Sequence, residues 1–493
     1  MQIRDFHLTK TDRRWNKDAQ GPWVSKTDVV EFDLCGHRCF LAHQLDKRYE
    51  EFRTPSALQV LLSGKAHERS KDSEIEISVT YDVEKARTTD GLYKVPIRFY
   101  NHDYGMVGVL DGILFNGNIL FPVEIKAHNR FRALDRIELA FYSRLLEPLQ
   151  PVDISKEDRK GYVFLGQSKE PREVLLRRRD LRESERRVQE VRDAKIKDPG
   201  FSLSKACRSC VLEEEHKAES KNQLSLDLIY DLGPERKKIF NALGIHTVGD
   251  LAQADPSDLM NRWSVIAEYG LSVQRLTGMQ AHARSWISEE PEILDGSQIP
   301  SPSESIILDL EYYTLGGKYI FLVGMLVVDK DEQVSIKQEF ATNPEDESRI
   351  LEYMTSVLMA YPTYQIATWS GLSADFPMIE DAWDRHGLSK FALDDFRRRH
   401  VDLFQCSVRG VRLPAPGLGL KTVSDYLNFK RKLPDISGGL DAVAMYIDYL
   451  STKDDRLRNK LIAYNGDDLD ATLFVWKKLR ELSGHAPRLA TKD

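Results

Sequence analysis

The sequence predicts an α/β multidomain protein, and three observations carry that expectation. At 493 residues the chain is too long for one core, and roughly 150 residues per domain suggests about three. Strand-like segments dominate from about Ile75 to Val163, between helix-like flanks. A stretch rich in Pro, Ser and acids, Glu289 to Ser305, reads as a linker. After it, strands and helices alternate to about Leu482.

Composition narrows the class. Lys+Arg total 70 and Asp+Glu 77, a formal net charge of −7, with 41% hydrophobic and 9% aromatic residues. These values exclude a wholly basic nucleic-acid coat and wholesale disorder, but allow a nucleic-acid enzyme whose positive charge is local. No apolar run reaches the ~18 residues that span a bilayer, and Met1 to Trp15 lacks the apolar stretch of a secretory signal. Five cysteines do not make a disulfide framework in so long a chain. No membrane partner and a cytoplasmic location are expected.

The first region, 1–222, centres on GVLDGILFNGNILFPVEIKA. Asn116-Gly117 between two apolar runs signals a two-residue hairpin in a type I′ turn. With those residues as the loop, Phe115 faces Asn118 and Asp111 faces Pro122. Period-two alternation then puts Asp111, Glu124 and Lys126 on one face, the two acids diagonal neighbours roughly 7–8 Å apart. Such carboxylates can share a hard cation through oxygen, and Lys126 can orient a water or stabilise a phosphate transition state. The same residues also suit the wet face of an ordinary hairpin. Pro122 inside the second strand has no N–H for the ladder.

Flanking residues add context: Cys35 in LCGHRCFL, the run Gly64-Lys65-Ala66-His67, and Cys207-x-x-Cys210. With Asp111 and Glu124-Ile125-Lys126, these features resemble, over about Phe32 to His216, the RecB-like nucleases of the PD-(D/E)XK superfamily. The likeness is greatest to the CRISPR-associated exonuclease branch that carries an iron–sulfur cluster. The resemblance implies a restriction-endonuclease-like α/β core with His67 as a metal ligand. It also implies a Gln-x-x-x-Tyr helix, matched by Tyr142 but with Glu138 in place of Gln. Finally it implies that Cys35 joins a late cysteine group around a [4Fe–4S] cluster, with His216 where the last cysteine would fall. Cys35, Cys207 and Cys210 with His216, or with Cys39, are alternative ligand sets, and zinc suits thiolates as well.

Residues 175–198 form a charge-dense run whose acids and bases interleave, which favours a solvated helix over a nucleic-acid groove. The middle region, 223–290, looks wholly helical and is followed by the linker 291–305. Within it, LGPERKKIFNALGIHTVGDL resembles a helix-hairpin-helix turning at Gly244. Exposed N–H groups at a helix start can hold a phosphate, with Lys237 and Lys238 adding charge. A helical spacer with the same turn chemistry is the other reading.

The last region, 306–485, opens with IILDLEYY, where Asp309 and Glu311 share one strand face. Asp375 follows a Gly-containing loop at a helix start, and Tyr464 and Asp468 lie one turn apart on a helix. Four acids converging this way can hold two Mg2+ or Mn2+ ions that clamp a phosphodiester, and the tyrosine can orient the attacking water. The order D-x-E, D, Y-x3-D resembles the DEDDy exonucleases of the RNase H-like superfamily. Asp402 in HVDLFQ and Leu420-Lys421-Thr422 match a bacterial branch in which this domain follows a RecB-like one. That resemblance implies 3′ to 5′ cleavage.

The expectation is a metal-dependent nuclease with two phosphodiesterase sites acting on DNA ends or single-stranded DNA, in repair or mobile-element defence. A nucleic-acid-binding subunit with one or both folds inactive, and an exoribonuclease acting on RNA, are the alternatives. No G-x4-G-K-[ST] loop is present, so strand opening would call on a separate helicase or defence-complex partner.

Overall fold

The apolar runs on either side of Asn116-Gly117 pair as the middle of a six-stranded mixed sheet. The structure, a computed structural model, describes residues 15–16, 21–75, 77–80, 83, 86, 89–128, 130–150, 159–166, 168–262, 271–294, 299–313, 318–388, 390–436 and 438–484. Backbone alone is described at 15–16, 67–74, 256, 260–261 and 390–391. The chain divides into two units, Met1–Phe201, and Ser202–Tyr313 with Lys318–Asp493.

In the first unit the strands are β1 (Ser78–Val79), β2 (Gly91–Lys94), β3 (Gly112–Asn116), β4 (Ile119–Lys126), β5 (Lys160–Leu165) and β6 (Arg172–Leu175). Their spatial order is β6-β5-β4-β3-β2-β1, with β1–β2 and β4–β5 parallel and the other pairs antiparallel. The hairpin register differs from the expected one. Asn116 pairs with Ile119 and Phe115 with Leu120, so the loop is Gly117-Asn118 and Pro122 faces Ile113. Positive φ falls at Gly117 (+56°) and not at Asn118, the demand of a type II′ turn, whose first central residue is Gly. The slip is two residues, so parity survives and Asp111, Glu124 and Lys126 keep one face. Gly161 of β5 accommodates the proline, since a Cβ there would meet Pro122 O at 3.1 Å and Leu139 Cδ2 at 3.0 Å.

Helices α1 (Lys26–Leu34), α2 (Gly36–Gln44), α3 (Pro55–Glu74), α4 (Ala133–Leu145) and α5 (Arg178–Ile196) accompany this sheet. Ser25 caps α1 through the Asp28 N–H at 3.2 Å, and α4 buries Leu139, Ala140, Phe141, Tyr142 and Leu145. The charge-dense run forms α5, burying Leu181, Val188, Val191 and Ala194 at helical spacing. On its exposed face Arg186 pairs with Glu183 and Glu190, as expected of a solvated helix.

The second unit begins with helices, among them the short α6 (Gly233–Ala242) and α7 (Val248–Gln253) and the longer α8 (Val273–Ser288). Its sheet contains β7 (Ser305–Tyr313), β8 (Tyr319–Val328), β9 (Val334–Phe340), β10 (Gln365–Thr368) and β11 (His400–Asp402), in the order β9-β8-β7-β10-β11. The first three are antiparallel and the last three parallel. Helices α9 (Glu347–Ala360), α10 (Asp375–Arg385), α11 (Gly439–Thr452) and α12 (Asp455–Gly484) complete it. Within the segment read as a linker, Glu292–Ile293 pairs antiparallel with Val411–Arg412. Arg412 Nε donates to Gly278 O of α8 at 2.9 Å, and the His282 ring bridges Tyr230 N (3.0 Å) and Ala415 O (3.2 Å). Among the described residues no helix is long and apolar enough to cross a membrane.

Candidate metal centres

The alternation of β7 points Asp309 and Glu311 to one face, and α12 brings Asp468 against them. Among the described residues, these three alone form a group of metal-binding side chains whose ligand atoms all lie within 4.8 Å of one another. Asp375 opens α10 and is buried; its charge acts on Asp309 and Glu311. A loop delivers it, and Asp402 organises that loop by accepting from Ser370 N (3.2 Å) and Leu372 N (3.1 Å) while capping its own helix through Gln405 N.

The electrostatics suit a cation. Burial, then repulsion from Asp468 and Asp375, pushes Asp309 well above the carboxylate range. Burial and Asp309 do the same to Glu311, and burial with Asp402 raises Asp375 to about 8. Burial also raises Asp468, against the pull of Arg431, whose Nη1 donates to Asp468 Oδ1 at 2.6 Å. Crowded oxygens that resist ionising together are the donor set a hard divalent cation relieves. The Tyr464 phenol, one turn before Asp468 and hydrogen-bonded to it, is raised by burial and stays protonated. Of the neighbouring acids, Asp467 accepts from Lys432 N at 3.2 Å and Asp470 pairs with Lys432 Nζ at 2.6 Å.

Two residues of this centre carried no sequence signal. Asn465, fully buried, donates to Asp309 Oδ2 at 2.8 Å and accepts from Gln338 at 2.8 Å. Arg431 reaches Asp468 from a loop 37 residues earlier.

The first unit gathers a second constellation. Asp111 Oδ2 accepts from Ile125 N at 3.2 Å, which ties it to the strand of Glu124 and Lys126. Lys126 Nζ lies 2.9 Å from Glu124 and 2.6 Å from Glu138, so the residue replacing the expected Gln is an ion-pair partner. Tyr142 OH donates to Val109 O at 2.8 Å. Lys26, unread in the sequence, stands among the acids. Its Nζ is 3.0 Å from Glu124, 3.5 Å from Glu138 and 3.9 Å from Asp111, and 5.0 Å from the Tyr142 ring centre. Burial pushes Asp111 up to about 7 despite Lys26. For Glu124 burial also works upward, but Lys126 and Lys26 outweigh it and hold the group at about 2. The Asp111–Glu124 pair fits an oxygen-bound cation, with Lys26 already supplying positive charge there. His67 lies on α3, and its side chain falls outside the described residues.

The remaining candidates fall in both units. Cys35 and Cys39 belong to the first unit, and Cys207, Cys210 and His216 to the second. No disulfide joins the five cysteines. Cys39 is buried, its thiol donates to Asp28 O at 3.6 Å, and burial pushes it up to about 12, the behaviour of a structural thiol. Cys207 Sγ accepts from Ser204 N at 3.4 Å. Lys237 pairs with Asp227 at 2.5 Å and Lys238 with Glu235 at 2.9 Å. Gly244 turns the hairpin at φ +82° with open space around it.

A five-stranded sheet with one antiparallel edge, with acids within its central strand and midway along its C-terminal helix, is consistent with an RNase H-like domain. Residues 306–480 match the family model RNase_H_2, of the RNase_H superfamily. A nuclease-type, metal-dependent hydrolysis of nucleic acid goes with that match. No curated protein matches the chain.

Proposed function

We propose that the chain is a metal-dependent nuclease with two phosphodiesterase sites that processes DNA ends or single-stranded DNA, its C-terminal site running 3′ to 5′. The observation that carries this reading is the approach of Asp309, Glu311 and Asp468 within 4.8 Å in a segment matched to the RNase_H superfamily. Mg2+ or Mn2+ held there with the help of Asp375 would supply Lewis acidity for in-line displacement at phosphorus. The protein's own part is positional. Asn465 orients Asp309, Arg431 orients Asp468, and the protonated Tyr464 phenol is available to align the attacking water.

In the first unit, we read Asp111 and Glu124 as cation ligands with His67, Lys126 as the charge facing the scissile phosphate, and Tyr142, the kept tyrosine of the Gln-x-x-x-Tyr helix, as a further catalytic residue. This follows the RecB-like PD-(D/E)XK pattern. The cysteines with His216 suit iron–sulfur or zinc, which would clamp the fold and take no part in catalysis. A role in DNA repair or mobile-element defence, with a separate helicase, follows from this reading. A second reading, in which the first unit binds nucleic acid without cutting it, is favoured by Lys26 lying 3.0 Å from Glu124.

Digestion of end-labelled single- and double-stranded DNA and matched RNA, with Mg2+ or Mn2+, tests both readings. Asp309→Ala is expected to abolish stepwise shortening from the 3′ end, and Asp111→Ala to abolish the residual cleavage. No cleavage by the wild type sinks the first reading; cleavage indifferent to Asp111→Ala selects the second.

A further inference from the structure

The start of the charge-dense run contributes to a feature that the two metal centres leave unused. A cleft of about 170 Å3 in the first unit is lined by Arg136 of α4, Arg172 of β6, and Arg177 and Arg179 around the start of α5. Two of these guanidiniums are already held. Arg136 donates to Leu175 O at 2.9 Å and lies 5.5 Å from the Phe131 ring centre, and Arg172 packs over the same ring at 4.7 Å. The acid lining the cleft, Glu173, is engaged by Lys160 at 2.9 Å and Tyr162 at 3.3 Å. Asp180 is shared at 3.6 Å between Arg136 and Arg179. Among the described residues, the guanidiniums of Arg172 and Arg177 have no carboxylate partner, although Arg177 N donates to Asp180 at 2.8 Å.

Four arginines around little free acid, in a chain of net charge −7, form a local anion site. A guanidinium fork matches phosphate oxygens two at a time, and a prepacked fork loses less entropy on binding. Arg136 and Glu138 stand two residues apart on α4, roughly 200° around the helix. Glu138 meets Lys126 at 2.6 Å, so the cleft and the Asp111–Glu124 centre lie on opposite sides of one helix, ~10–12 Å thick. We infer that this cleft holds the phosphodiester backbone of a single-stranded nucleic acid whose end reaches that centre around α4. The choice of nucleic acid over other polyanions rests on the nuclease reading.

Fluorescence anisotropy of the full chain with a labelled single-stranded oligonucleotide, in EDTA so that nothing is cut, tests the inference. Arg172→Gln with Arg177→Gln and Arg179→Gln is expected to weaken binding at least tenfold. It should also lower the slope of log affinity against log salt by about 2, the loss of three phosphate contacts on a single strand. Arg182→Gln with Arg186→Gln, on the exposed face of α5, is expected to bind as the wild type does. Should the triple variant melt early, Arg177→Glu alone serves, with a loss of at least threefold expected. Unchanged binding by the cleft variants, or an equal loss in the control, overturns the inference. So does polyglutamate competing as well as an oligonucleotide of equal charge, which would assign the cleft to an acidic protein. Because binding is read without cleavage, a chain that binds but never cuts refutes the nuclease reading and leaves the cleft standing.

Discussion

Asn465 Nδ2 donates to Asp309 Oδ2 at 2.8 Å across the contact between α12 and the central sheet. Residue 324, opposite Asp309 in the register, permits this approach because it is glycine. A Cβ there would overlap Asn465 Oδ1 and come within 2.9 Å of Leu469 Cδ1. Gly324→Ala is therefore expected to destabilise the chain by about 1–3 kcal/mol through overpacking and to lower 3′ cleavage. Asn465→Ala removes the orienting bond without adding bulk, and a loss of about 10–100-fold in activity or metal affinity is expected. Thermal melts and Mn2+ titrations of both variants check this; wild-type metal affinity in Asn465→Ala would contradict it.

Lys26 competes with any cation drawn to Glu124. Replacing it with Met leaves Glu124, fully buried, short of one partner, and about 3–5 kcal/mol of metal-free stability is expected to go. The same change should tighten Mn2+ binding at the first centre at least about tenfold, since a unit charge a few ångströms from the site has been removed. Calorimetric titration in an Asp309→Ala background isolates the effect. Weaker binding would mean that Lys26 supports the cation instead of opposing it.

The raised carboxylates make metal-free stability depend on pH. Asp111 titrates at about 7 and Asp375 at about 8 in the folded chain, against about 3.9 when unfolded. Between these values the folded state keeps protons that the unfolded state has released. Their contribution therefore falls as pH rises from about 4 to 8. Bound Mn2+ replaces those protons, so the rise in Tm on adding Mn2+ is expected to be larger at pH 8 than at pH 6. Equal shifts at both would count against the assignment.

His282 works in the other direction. Burial, with Arg412 beside it, lowers the imidazole to about 4, below its unfolded value of about 6.5. Stability from the neutral ring is complete above pH 6.5 and is lost as pH falls toward 4, by about 3 kcal/mol over the window. Hydrogen exchange should show protection of α8 declining between pH 7 and 5 after correction for intrinsic rates. Unchanged protection would show that the ring does not hold α8 to Ala415.

Short-range patterns were the legible part of these centres. Period-two alternation put Asp111, Glu124 and Lys126 on one face even though the turn lay one residue later than expected. The Asn-Gly signal marks a reversal, but type I′ and II′ turns place the glycine differently. Asp309, Glu311, Tyr464 and Asp468 were readable because strand and helix spacing decide their faces. Lys26 was not, since it meets Glu124 across 98 residues and no local period points there. Asn465 and Gly324 are related only through packing between a helix and a sheet. The arginine cleft was hidden for a similar reason. Its members come from three elements, and the α5 run, taken alone, is the solvated helix its interleaved charges suggest.

The most direct measurement is a time course with a 5′-labelled single-stranded oligonucleotide and Mn2+, comparing the wild type with Asp309→Ala and Asp468→Ala. A ladder of products shortened from the 3′ end, at least about 100-fold slower in each variant, is the expected result. A ladder that persists unchanged in both variants would show that the Asp309–Glu311–Asp468 cluster is not the site of cleavage.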